Sequence, residues 1–176
     1  NLELYQILVD KDGIVPYPQE TTDERYWVKE PREIEFKCTC SDFWWCLNNV
    51  AKGLWRNELP YAMDVINFVL RPHLKRLLEW EIGIEHNFSV SAGKSGKYFK
   101  KYLPEDKYRQ FLATYSIAEI ESIWNSVFGM CGLFQSTAVE FSKKQNFSYD
   151  YEQAKNSLNF LQHVRKLPVN AKEIYP

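Results

Sequence analysis

From about residue 32 onward, apolar residues recur every three to four positions, the period of an α-helix with one buried face. Phe43, Cys46, Leu47, Val50 and Leu54 form one such stripe, which predicts a first long helix from near Pro31 or Ser41 to Leu59. Pro60 is expected to kink or break it, because proline lacks a backbone N–H and its ring crowds the preceding turn. The run YAMDVINFVL continues helically, and a third helix is expected from Pro72, carrying Leu74, Leu77, Leu78 and Ile82. A loop over 86–97 follows, then KYFKKYL and a short helix after Pro104. Ser116-Ile117-Ala118-Glu119 has the form of a capping box ahead of the longest apolar period, which runs from Ile120 to Phe141. Asp150-Tyr151-Glu152-Gln153 caps a last helix through about Lys166, with Ala154, Leu158, Leu161 and Val164 inward and Pro168 as its stop.

Ahead of this helical body the pattern changes. Residues 1–9, NLELYQILV, alternate loosely and end in the turn signal Asp10-Lys11-Asp12-Gly13, after which Pro16, Pro18 and Pro31 punctuate a polar connector. The expected architecture is all-α: a bundle of five or six helices over residues 32–176, preceded by an extended arm and linker over residues 1–31. The chain begins at Asn1 rather than Met, so part of the gene product is expected to lie outside it.

Composition narrows the functional classes. Hydrophobic residues make up 45% of the 176, enough for one core that folds without staples. Lys plus Arg (22) nearly balance Asp plus Glu (23), which argues against a nucleic-acid or anionic-membrane partner. There is no apolar run long enough to span a bilayer and no signal-peptide pattern. Cys38, Cys40 and Cys46 can be drawn as metal ligands with His73 or His86, but their spacing is not that of a zinc knuckle. Reduced thiols of a cytoplasmic protein are the better account of all four cysteines.

Several stretches carry candidate chemistry. Ser91-Ala92-Gly93-Lys94-Ser95 contains the Gly-Lys-Ser of a phosphate-binding loop, but the glycine required five positions earlier is Phe88, and the preceding residues make a poor buried strand. A solvated lysine loop is expected there. Opposite the apolar stripe of the first helix, Trp45, Asn48, Asn49, Lys52, Trp55 and Arg56 share a second surface. Lys52 and Arg56 stand one turn apart, so both cations can reach one phosphate chain; the plain alternative is a solvated face. Glu81 extends the leucine stripe of the third helix where an apolar residue is expected, and Glu85 follows one turn on. With Glu58 and Asp64 beside Pro60, and with Trp45, Trp55, Tyr61 and Trp80, these acids suit a polycationic, sugar-like ligand. Asp10-x-Asp12 is the one D-x-D, a spacing that can hold Mg²⁺, though Gly13 favours an ordinary turn.

The runs FWWCLNNVAKGLWRNELPYA (43–62), LLEWEIGIEHNFSVSAGKSGKYFKKYLP (77–104), IWNSVFGMCGLF (123–134) and KLPVNAKEIYP at the terminus resemble the aminoglycoside 6-adenylyltransferases, the bacterial streptomycin adenylyltransferases. The resemblance implies an enzyme that moves AMP from ATP to the 6-hydroxyl of streptomycin and so confers antibiotic resistance. It also implies a catalytic N-terminal α/β domain of the polymerase-β type, whose Gly-Ser and Asp-x-Asp signature binds Mg²⁺ and most of the ATP. This chain contains no Gly-Ser pair, and Asp10 and Asp12 correspond to a turn beyond the catalytic carboxylates. The chain therefore looks like the C-terminal helical half, with the N-terminal nucleotidyltransferase domain as its partner, and is expected to be inactive alone. By the same resemblance, Lys52 best fits a lysine that reaches the triphosphate, with Arg56 second. Trp45, Glu58, Asp64, Trp80, Glu81 and Glu85 remain drug-binding candidates on the physical grounds already given. The rival is a stand-alone helical binding or interaction domain without catalysis.

Overall fold

The computed structural model describes residues 7–16 and 22–174; most of the alternation predicted for residues 1–9, and Pro18, lie outside the described residues. The helices are α1 (Glu33–Trp55), α2 (Leu59–Val65), α3 (Arg71–Glu85), α4 (Phe99–Tyr102), α5 (Glu105–Ala113), α6 (Ile120–Gln145) and α7 (Tyr151–Lys166), and the described residues contain no strand. A π-turn, Ile66–Leu70, joins α2 to α3 without leaving helical backbone geometry, so the two form one rod. The architecture is thus the all-α bundle expected from the hydrophobic period, with six rods among the described residues.

Two prolines stand in first turns of helices, one of them against expectation. α1 stops at Trp55, short of Leu59, and Asn57 takes a left-handed φ of 59° in the connection. Pro60 does not interrupt a helix; it sits in the first turn of α2, where its missing N–H would have had no helical partner. Pro72 lies in the first turn of α3, as expected, but the helix before it does not end there. The chain is already helical there, and the Arg71 N–H donates to the carbonyl of Ile66, five residues back. This widened turn is a known way for a helix to accommodate a proline ring and the hydrogen bond it removes.

The capping box at Ser116–Glu119 does not form. The Glu119 N–H donates to the Ile117 carbonyl at 2.8 Å in a tight turn, and α6 starts at Ile120 without a side-chain cap. At α7 the expected cap is present: the Asp150 carboxylate accepts from the Gln153 N–H at 2.8 Å.

Side-chain pairs fix the directions of the rods. Phe36 meets Phe141 at 5.7 Å between ring centroids and Phe43 stacks flat on Phe134 at 3.7 Å, so α1 and α6 run antiparallel. Gln153 donates to Ser41 near the start of both helices and Trp55 donates to the Leu167 carbonyl past their ends, so α1 and α7 run parallel. The short connection after α1 turns the α2–α3 rod back against it. α5 lies antiparallel to α3, with Arg71 reaching Thr114 and Glu81 reaching Lys107. One end of the bundle therefore carries the incoming arm, and the other carries the α1–α2 corner.

The arm is anchored at the first end. Val28 N–H donates to the Val90 carbonyl at 2.9 Å, and Gln145 donates to Glu30 at 3.2 Å. Gly83 of α3 makes this possible, because a Cβ there would lie 2.6 Å from the Phe88 ring and 2.9 Å from Val28.

Two charged groups are buried in the body. Arg71, 4% exposed, donates to the Thr114 hydroxyl at 2.6 Å and carbonyl at 3.0 Å and lies 3.7 Å from the centre of the Tyr115 ring. It thereby ties off the C-terminal end of α5 with a cation. Glu81 pairs with Lys107, which also donates to Glu140 at 2.9 Å, linking α3, α5 and α6. Burial pushes the Glu81 carboxyl above its ordinary range and Lys107 opposes that rise; one of its oxygens, Oε2, has no hydrogen-bond partner.

Lys107→Met leaves Glu81 without its cation and is expected to lower stability at pH 7 by roughly 3 kcal/mol. With its pKa raised further, Glu81 penalises folding fully above the folded pKa, and the penalty fades as pH falls toward the ordinary value of 4.5. Urea unfolding across pH 4 to 8 checks both points, and adding Glu81→Leu should recover most of the loss and flatten the pH dependence. Unchanged stability of Lys107→Met at pH 7 contradicts this account.

Candidate functional site

Packing of the α1 stripe against α6 and α7 decides what α1 shows to solvent. Phe36, Phe43, Trp44, Leu47, Val50 and Leu54 are buried, which turns Trp45, Lys52 and Arg56 outward. Trp45 is 71% exposed, a large apolar surface to leave in water. Lys52 is half-buried in the last turn and Arg56 is the exposed residue that closes the helix. Neither cation has an ion pair or side-chain hydrogen bond among the described residues. Both sit near the C-terminal carbonyls of α1, which favour positive charge. Asn48 is half-buried with an Oδ1 that is sealed and unpartnered, while Trp55 is structural, its indole N–H donating to Leu167 at 3.3 Å.

The predicted acids divide between the two ends of the bundle. Glu58 directly precedes α2 and is exposed beside Arg56, and Asp64 is exposed further along α2; neither has an ion-pair partner among the described residues. Lys52, Arg56 and Glu58 are thus gathered at the α1–α2 corner, with Trp45 about 10 Å back along α1. Glu81 and Glu85 belong to the other half of the α2–α3 rod. Glu81 is held by Lys107, and Glu85 pairs with Lys144 of α6, which keeps its carboxyl below the ordinary range.

Trp80 lies against Phe141 at 6.0 Å and is only 8% exposed. What exposure it keeps opens on a cleft of about 530 Å³ between the arm, α3 and the 91–95 loop. Trp27, Lys29, Arg76, Glu79 and Lys94 also line it. Glu79, Arg76 and Trp27 were not singled out in the sequence. The only signal for Arg76 and Glu79 was proximity to Trp80 in the sequence, and Trp27 carried none, since it takes the folded arm to bring Trp27 and Lys29 across. The loop is not a Walker loop: Gly93 takes φ 74° and its N–H donates to the Ser91 hydroxyl at 3.1 Å, with a 3₁₀ turn following over Lys94–Gly96.

Asp10 does not offer an open carboxylate, since its two oxygens accept from the Ile14 and Val15 N–H groups at 3.3 and 3.1 Å. No group of three or more His, Cys, Asp or Glu side chains able to hold an ion occurs among the described residues. Cys38 is exposed, and burial pushes the Cys40 thiol up to about 12, so it is a poor ligand. These residues do not fit Mg²⁺. Among the described residues no helix is long and apolar enough to cross a membrane.

The family described as Streptomycin adenylyltransferase matches residues 1–164. An aminoglycoside 6-adenylyltransferase of Staphylococcus aureus is 37% identical over 161 residues, covering 91% of this chain and 56% of that protein. One from Bacillus subtilis (strain 168) is 34% identical over 151 residues, covering 85% of this chain and 53% of that protein. A crystal structure of an aminoglycoside 6-adenyltransferase from Bacillus subtilis superposes with a TM-score of 0.74 at 30% identity, over 90% of this chain and 59% of that one. The chain spans about half the length of the curated relatives it matches. By sequence and by fold, the chain belongs to the streptomycin adenylyltransferase family.

Proposed function

We propose that this chain is the helical portion of an aminoglycoside 6-adenylyltransferase, and that its α1–α2 corner faces the nucleotide of a reaction carried out with a separate nucleotidyltransferase portion. The observation that carries the proposal is the pair Lys52 and Arg56: two cations one turn apart, with no ion-pair partner among the described residues, in a chain whose family is named for adenylyl transfer. In such a reaction the drug's 6-hydroxyl oxygen forms a bond to the α-phosphorus of ATP, the bond to pyrophosphate breaks, and the hydroxyl proton passes to a base. Lys52, with Arg56 as the second cation, stabilises the charge that builds on the departing β- and γ-phosphates. Mg²⁺ and most ATP contacts belong, in this reading, to the nucleotidyltransferase portion.

Trp45, Glu58 and Asp64 are the drug-side groups this geometry favours. Carboxylates accept from the guanidinium groups of streptomycin, and the exposed indole offers a face to the same cations. Trp45, Tyr61 and Phe68, exposed by 71, 48 and 75%, are the apolar surface available for the second portion to cover. Glu81 and Glu85 each have one carboxylate oxygen, Oε1, paired with Lys107 and Lys144, which weakens their pull on a further cation. Glu81 is the weakest of the drug-binding candidates, since its other oxygen is sealed inside the fold.

The purified 176-residue chain is expected to transfer no AMP to streptomycin. A chimera in which it replaces the matching segment of the Staphylococcus aureus relative is expected to do so. In that chimera Lys52→Ala should raise KM for ATP or lower kcat by roughly tenfold or more, with an unchanged melting temperature. Transfer by the isolated chain overturns the two-portion reading, and a folded chimera indifferent to Lys52→Ala overturns the role of the lysine.

A further inference from the structure

α3 ends at Glu85, and two of the residues that turn the chain away from it, Asn87 and Phe88, take left-handed backbone, with φ of 51° and 52°. Asparagine enters this region at low cost because its short side chain can hydrogen-bond locally. Phenylalanine has no such compensation, so a bulky ring at this position stands against the local preference of the chain. Contacts outside the turn have to hold it there.

The Phe88 N–H donates to the Gly83 carbonyl at 2.7 Å, which closes the end of α3. The Phe88 ring lies over Gly83, so close that a Cβ on residue 83 would stand 2.6 Å from its edge carbons. The same Cβ would stand 2.9 Å from Val28 of the arm, so ring, glycine and valine meet at one point. Two residues on, the chain pairs with the arm: the Val28 N–H donates to the Val90 carbonyl at 2.9 Å, and both valines pack against the core. Pro31 is buried just ahead of α1 and fixes the root of the arm. A glycine at position 88 would take this backbone without strain. The ring is what phenylalanine adds, and its seat is the place where the arm meets α3.

We infer that Phe88 is a positioning residue: its ring, seated on Gly83, latches Val28 to the end of α3 and so sets the direction in which the chain before Val28 leaves the helical body. The latch is a property of this chain alone. Its effect on catalysis rests on the two-portion reading, in which the arm leads to the nucleotidyltransferase portion and its direction sets how the two portions meet. A misplacement of about 1 Å between reacting groups costs up to roughly a hundredfold in rate.

The test begins with amide hydrogen exchange on the purified chain. Phe88→Gly keeps the left-handed backbone and removes only the ring, whereas Gly83→Ala keeps the ring and drives it off its seat. Each is expected to speed exchange of the Val28 N–H at least about tenfold. Exchange at Leu47 and Val50, on the buried face of α1, should stay unchanged and so establish that the body is folded. The double variant should match the single ones, because all remove the same contact. In the chimera, either substitution should lower kcat roughly tenfold with KM for ATP unchanged. Unaltered exchange at Val28 in Phe88→Gly, or additive effects in the double variant, overturns the latch. Faster exchange at Val28 with full transfer by the chimera overturns the positioning role. A chimera that transfers no AMP before these substitutions counts against the two-portion reading, and the exchange rates then decide the latch by themselves.

Discussion

Phe43 lies flat on Phe134, with Trp44 edge-on to both, and Phe36 against Phe141 repeats the contact two turns away. This aromatic seam between α1 and α6 fixes how α1 is rolled about its own axis. All five aromatic side chains of the seam are buried, and a rotation of α1 by one residue position, about 100°, would pull them out of register. Because the seam sets the roll, the opposite residues have no freedom either: Trp45 and Arg56 must face water, and Lys52 must stand at the edge. The outward face of α1 is thus a consequence of its core face, and Lys52 and Arg56 are left without an ion-pair partner among the described residues.

The remainder of the bundle supplies charge accounting. Arg71 neutralises the end of α5 without a carboxylate, relying on the Thr114 carbonyl and the Tyr115 ring. Lys107 does the reverse, one cation serving Glu81 and Glu140. Such buried charges hold particular helices in particular registers at little net gain in stability. They also withdraw Glu81 from easy use by a ligand. Of the predicted acids, Glu58 and Asp64 have no ion-pair partner among the described residues, Glu58 close in sequence to Arg56 and Asp64 further along α2.

Much of this was legible in the sequence because helical period is a local property. The stripe Phe43, Leu47, Val50, Leu54, the α7 cap at Asp150 and the second surface of α1 all follow from spacing within one element. The runs that resemble the adenylyltransferases pointed to the family that the comparisons establish. What spacing could not supply was long-range partnership. Glu81 looked available because Lys107 is 26 residues away in sequence, and the burial of Arg71 depends on Thr114, 43 residues on. The π-turn before Pro72 was hidden for a related reason: a one-residue slip of hydrogen bonding leaves the apolar pattern nearly intact. Ser116–Glu119 had the right letters for a cap but folds as a turn, since a capping motif competes with whatever tight turn the chain can close there.

The central claim is that Lys52 meets the triphosphate when the helical portion works with its catalytic counterpart. The most direct measurement is the rate at which Lys52 is acylated by a water-soluble amine reagent in the chimera, followed by mass spectrometry with and without ATP. The account predicts that ATP protects Lys52 selectively, while lysines distant from the corner, such as Lys144, react at the same rate in both conditions. Equal reactivity of Lys52 with and without bound ATP would contradict it.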